Sequence, residues 1–157
     1  KEMFEKVFQY ELNNRAFAYI SVSNLAEKMK DSPEADFWTA YMKMEQYSQP
    51  GYQEMAKKYN LEVDSFIVKL KVWTTGIAFS LFPKKMLSIM ANATEKYLEK
   101  LAPLPDLAKA EDRAFFEYVL AQEQAQAIAL AHAVEGRFDL AAVTLNEFLF
   151  GQSKTAI

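Results

Sequence analysis

Three glutamates occupy positions where the surrounding pattern calls for apolar residues. Glu11 falls within the stripe Phe4, Val7, Phe8, Ala18, Val22, and Glu45 lies on the face marked by Phe37, Tyr41 and Met44. Glu123 shares a stripe with Phe116, Leu120, Ala127, Leu130 and Val134. A carboxylate in apolar surroundings loses its hydration, so each needs a proton, a donor or a cation. One chemistry that uses inward carboxylates is ligation of a hard metal ion. The expected ligands are then Glu11, Glu45 and Glu123, with Gln126 one turn further on and Tyr41 or Tyr47 in support. The same residues also fit a plainer reading, as hydrogen-bonded core side chains or as part of an interface.

Other chemistries have less to build on. His132, the single histidine, follows Glu123 by nine residues, and at about 100° per residue it lies on roughly the opposite face of that helix. It is expected to be a core or interface residue rather than a haem ligand or a general base. Ser21, Ser23, Ser48, Ser80 and Ser88 are available nucleophiles, but one histidine and no G-x-S-x-G leave a triad unsupported. No Walker loop and no G-x-G-x-x-G is present to cradle a nucleotide.

Elements that position the glutamates are delimited by breakers: DSPEAD at 31–36, SQPG at 48–51, Pro83, PLPD at 103–106 and EGRFD at 135–139. Everything between them reads helical. The first helix runs from Phe4 to about Met29 on i, i+3, i+4 spacing. Ser32, Pro33 and Glu34 suggest the cap and first turn of a second helix, ended or kinked by Pro50 and Gly51 and continued to Asn60, a tolerable left-handed residue. The run VWTTGIAFSLF is too short for a membrane span, which needs about 20 apolar residues, and is expected to be a buried helix. A membrane-touching role would require that run to be exposed. Pro83 is expected to kink the chain or start a new helix, whose stripe is Met86, Ile89, Met90, Ala93, Tyr97 and Leu101. Glu95 and Glu99 fall off that stripe. Asp106 suggests a cap for a helix whose centre, from Ala114 to Val134, is apolar on nearly every side, as befits a helix surrounded by others. Gly136 suits its left-handed end, and a last helix from about Phe138 to Phe150 is closed by Gly151.

The order of these helices, with Glu11, EQYS (Glu45 to Ser48) and EQAQ (Glu123 to Gln126), resembles the ferritin-like superfamily. Its dinuclear members place a Glu from each of two helices and a Glu-x-x-His from each of two others in the bundle core. Both histidines of that pattern are missing here, and no fourth inward acid appears between Val63 and Leu101. The resemblance implies an all-α, ferritin-like four-helix bundle with additional short helices, forming one domain over residues 1–157. It implies iron or manganese only for a retained site; the depleted ligand set points instead to a bundle without a cofactor.

Composition narrows the partners. The chain has 157 residues, 51% hydrophobic and 25% charged, with four glycines and five prolines, which suits one globular domain of long elements. A net charge of -3 and a pI near 5.3 give no basic footprint for nucleic acid or for an anionic membrane, and neither partner is expected. The lack of cysteine excludes disulfides, thiolate metal sites and cysteine nucleophiles and is compatible with the cytoplasm. KEMFEKVFQY carries no secretory pattern, and an upstream segment is left open. Aromatic residues reach 14%, and the apolar arc of the first helix extends through Phe8, Leu12, Tyr19 and Ala26, which suggests packing on two sides and a homodimer. The expected function is binding of a protein partner or a small apolar ligand without catalysis. A metal-dependent oxidoreductase or metal-storage protein is the alternative.

Overall fold

The first helix, α1 (Glu2–Lys28), buries Phe4, Phe8, Glu11, Leu12, Arg15, Ala18, Val22 and Leu25, so its inward stripe keeps the helical period through two ionisable residues. Glu2 and Glu5 in its first turn and Lys28 in its last complement the helix dipole. In this computed structural model, which describes residues 1–155, six long helices, one four-residue helix and a 3-10 turn carry the chain, with no strand among the described residues.

The second helix, α2 (Ala35–Lys58), starts later than Ser32 suggests. Ser32 Oγ donates to the Met29 carbonyl at 2.8 Å and accepts from the Glu34 N–H at 3.1 Å, closing a turn after α1 instead of capping α2. The helix also continues through Pro50 and Gly51. Proline forfeits one ladder hydrogen bond, but buried Met44, Glu45, Ser48 and Tyr52 on either side hold the helix by tertiary packing. Gly51 is a close-approach position: a Cβ there would lie 2.9 Å from Phe115 Cε2. Asn60 adopts the left-handed φ of 55° that ends the segment.

Asp64 caps α3 (Ser65–Leu81) by accepting from the Ile67 N–H at 3.1 Å. Pro83 starts a separate helix, α4 (Pro83–Leu101), where its missing N–H costs no ladder bond. Asp106 lies inside the short α5 (Leu104–Leu107) and does not precede the next long helix. That place belongs to Asp112, at the end of the 3-10 turn, and its carboxylate is engaged by Lys58 Nζ and the Tyr59 hydroxyl, each at 2.6 Å. Then α6 (Arg113–Val134) ends at Gly136, whose φ of 79° lets the N–H of Arg137 reach the His132 carbonyl at 2.9 Å. The last helix, α7 (Phe138–Thr155), continues through Gly151.

Packing forms a circuit in which α1 rests on α2, α2 on α7, α7 on α6, α6 on α4, α4 on α3, and α3 again on α1. Two apolar clusters fill it. One gathers Val22, Phe37, Trp38, Tyr41, Leu130 and Leu145. The other gathers Phe4, Phe8, Tyr52, Leu101, Leu104 and Phe116, with Phe116 edge-on to Phe8 at 5.0 Å. Between them, at the level of Glu11, Glu45 and Glu123, lies a polar layer.

The expectation of a buried α3 is overturned. Only Val68 and Phe79 of this helix are buried, while Phe66, Leu70, Trp73, Ile77 and Leu81 are exposed. A helix apolar on all sides needs neighbours on all sides, and α3 packs mainly along α1 and α4, with Phe79 reaching Trp38 of α2 edge-on at 6.1 Å. No helix among the described residues is long and apolar enough to cross a membrane.

Candidate functional site: a buried arginine and the cavity beside it

The four expected ligand residues do converge, and the cation at their centre is an arginine. Arg15 follows Glu11 by one helical turn, so both point from the same face of α1 into the bundle. Arg15 Nη1 donates to Glu45 Oε1 of α2 at 2.5 Å and to Gln126 Oε1 of α6 at 3.0 Å. Its Nε lies 3.2 Å from Glu11 Oε1, and its Nη2 lies 3.4 Å from Glu123 Oε2. Gln126 Nε2 donates to Glu45 Oε1 at 3.0 Å, so the amide bridges the guanidinium and the carboxylate. Glu11 also accepts from the hydroxyls of Tyr52 at 2.9 Å and Tyr97 at 2.6 Å. Four helices, α1, α2, α4 and α6, thereby contribute to one network.

These residues do not fit a dinuclear centre. The guanidinium stands between the carboxylates where a bridging ion would have to sit, and Tyr97 of α4 supplies a hydroxyl rather than a fourth acid. No group of three or more Asp, Glu or His side chains among the described residues is arranged to hold a metal ion. Of the two supporting tyrosines expected, Tyr41 is buried beside Arg15, while Tyr47 stands on the surface, its ring 6.3 Å from that of Tyr118. His132 is half-buried in the last turn of α6, and Glu95 and Glu99 are exposed.

Electrostatics follow from an unequal ratio, one buried cation to three buried carboxyls. Desolvation pushes Glu123 up to about 8 against the pull of Arg15, with Glu11 and Glu45 adding repulsion. Glu11 and Glu45 are raised for the same first reason, burial, offset in part by Arg15 and by their hydrogen bonds. Burial alone would weaken the hold of Arg15 on its proton, but Glu123, Glu45 and Glu11 outweigh it and the guanidinium stays charged. At neutral pH Glu123 is therefore largely neutral, which brings the charges closer to balance.

Beside this network opens a cavity of about 370 Å³ between α1, α3 and α4. Much of its wall is apolar, formed by Phe17, Val22, Leu25, Phe79, Met86 and Met90. Met86, Ile89, Met90, Ala93 and Tyr97 of the α4 stripe face this space, while Leu101 packs in the second cluster. Arg15, Ser21 and Glu123 also line it, and Arg15 Nε, Ser21 Oγ and Glu123 Oε2 are buried without a hydrogen-bond partner. The ion-pair distances from Arg15 to Glu11 and Glu123 do not change this, because those approaches lack hydrogen-bond alignment. Lys71, Lys96 and Lys100 also line the cavity, and Lys71 Nζ lies 4.4 Å from the centre of the Phe17 ring. Partial burial, and then Arg15, lower the Lys71 ammonium below its ordinary value.

Arg15 is the residue at the centre of this network that the sequence reading passes over. Its signal was available: it stands four residues after Glu11 and three before Ala18, on the stripe itself. Tyr52 and Tyr97 became site residues only once α2 and α4 were placed against α1. Comparison with protein-family models, with curated proteins and with solved structures found no match.

Proposed function

We propose that this protein is a non-catalytic binding bundle for a small, mostly apolar molecule with one hydrogen-bonding head group, held in the cavity between α1, α3 and α4. One observation carries the reading: Arg15, Ser21 and Glu123, each with a buried polar atom that makes no hydrogen bond, line a space whose walls are otherwise mainly apolar. Unsatisfied buried polar groups are costly, and a ligand head that both donates and accepts would relieve Glu123, Ser21 and Arg15 together. The volume falls within the range of about 300–1,000 Å³ usual for small-molecule sites. Of the two partner classes expected from the sequence, the cavity favours the small ligand over a protein.

The ferritin-like relationship belongs to the same proposal. Convergence of Glu11, Glu45 and Glu123 from three helices, with Tyr97 from α4, supports a bundle of that kind in which an arginine neutralises the carboxylates. Calorimetric titration with decane-1-ol, decanoate and decane tests the function. Saturable one-to-one binding of a head-bearing chain, lost when Met90→Trp fills the cavity and altered in head-group preference by Glu123→Gln, is the expected result. Absence of saturable binding for all three probes, or equal binding of decane, overturns it.

A further inference from the structure

The outer face of α3 is a different feature from the cavity, and its chemistry points to a different partner. Phe66, Leu70, Trp73, Ile77 and Leu81 recur every three or four residues and form one stripe along the helix, extended at its end by Phe82. Phe66 is 76% exposed and Trp73 66% exposed, in a molecule whose other large aromatics sit mostly in its two clusters. Each such side chain presents an area on the order of 100 Å², so the stripe as a whole forms a patch larger than single scattered apolar residues produce.

Charge decides what covers this patch. From Ser65 to Thr94 the sequence contains Lys69, Lys71, Lys84 and Lys85 and no aspartate or glutamate. Lys69 flanks the stripe on α3, and Lys84 and Lys85 stand at its far end in the first turn of α4. Lys28 of α1 joins them by donating to Ser80 Oγ at 3.0 Å. The nearest acid before the helix, Asp64, is occupied with the Ile67 N–H. A second copy of α3 laid on this face would bring lysines along both borders with no acid of α3 to meet them. An apolar stripe carrying Trp and Phe, bordered by lysines and too short to span, is the pattern of a helix lying in a membrane interface.

We infer that α3 is a docking helix for an anionic lipid surface, which it enters with Phe66, Leu70, Trp73, Ile77 and Leu81 while Lys69, Lys84 and Lys85 meet the headgroups. The exposed run meets the condition that the sequence sets for membrane contact, and the net charge of -3, which argues against an anionic surface for the chain as a whole, conceals a stretch from Ser65 to Thr94 with lysines and no acid. The inference stands apart from the cavity ligand, because the residues involved point away from the cavity. Met90→Trp, which fills the cavity, leaves membrane docking unchanged.

Flotation of the full chain with vesicles of phosphatidylcholine alone, and of phosphatidylcholine mixed with phosphatidylglycerol, tests it. The protein floats with the mixed vesicles and not with the neutral ones, and added salt weakens the association. Reversing Lys69, Lys84 and Lys85 to Glu lowers partitioning by about a hundredfold, since each basic residue near an anionic surface contributes about tenfold or somewhat less. Leu70→Glu and Trp73→Glu lower it by about tenfold or more. All five positions are exposed, so the melting temperatures of these variants stay close to that of the parent; Leu70→Ser and Ile77→Ser carry the readout if a charged variant melts early. Failure to float with mixed vesicles overturns the inference. So does equal flotation with neutral vesicles. Sedimentation equilibrium on the same protein identifies the competing occupant: a dimer dissolved by Trp73→Glu assigns the face to a second copy and overturns membrane docking.

Discussion

At the scale of single residues, Arg15 balances a charge problem that α1, α2 and α6 create together. Removing one partner of a buried ion network leaves uncompensated charge and costs about 3–5 kcal/mol. Arg15→Met should therefore lower the unfolding free energy by about that amount at pH 7, read from urea denaturation. Arg15→Lys should recover only part of it, because an ammonium cannot reach Glu45 and Gln126 with a planar fork. Glu123 supplies a pH test. In the folded chain it keeps its proton up to about 8, against 4.5 for an unperturbed glutamate. The folded state thus binds more protons than the unfolded state between those values, and stability falls as pH rises through that window. Glu11 and Glu45, also raised, act in the same direction. Melting temperature should decline from about pH 5 to about pH 8, by an amount on the order of a few kcal/mol in stability, and Glu123→Gln should flatten the decline. A flat profile in the parent protein would contradict the protonated Glu123.

At the scale of elements, the helix ends divide into those set locally and those set by neighbours. Gly136 and Asn60 adopt positive φ where the sequence calls for left-handed residues, because that preference is a property of the residue and its own backbone. Gly136→Ala should cost about 1 kcal/mol in thermal or urea unfolding even though no atom stands in the way of the added methyl group. Pro83 likewise starts α4 by its own geometry. Pro50 and Gly51 read as an end or a kink and Gly151 as a stop, yet α2 and α7 run on through them, since packing on α2 and continuation of α7 override a local penalty. Ser32 and Asp106 read as caps and are used otherwise, because other hydrogen bonds and turns were available to them. The same logic separates α3 from its neighbours. With only Val68 and Phe79 buried, it has the fewest apolar anchors for its length, so its amides should exchange with deuterium well before those of α1, α2 and α6. Protection of α3 equal to that of α6 would show that the helix is held by more than its two buried anchors.

At the scale of the whole molecule, the polar layer divides the core into two apolar clusters and joins four helices in one register. Such networks fix an arrangement more than they add stability. Replacing Glu11, Arg15, Glu45 and Glu123 together by Gln, Met, Leu and Leu should leave stability unchanged or raise it by about 1–4 kcal/mol, in contrast to Arg15→Met alone. The same quadruple variant should lose the head-group preference of the cavity. A large loss of stability would mean that the network drives folding directly. What the sequence determined by itself was the helical class, the inward direction of Glu11, Glu45 and Glu123, and the left-handed ends, all of which follow from short-range periodicity and backbone preference. What only the tertiary structure decided was that these carboxylates surround Arg15, that the α4 stripe borders a cavity, and that the apolar run of α3 faces outward. Each of these depends on which helix stands opposite another, and the spacing of residues along one helix carries no information about its neighbour.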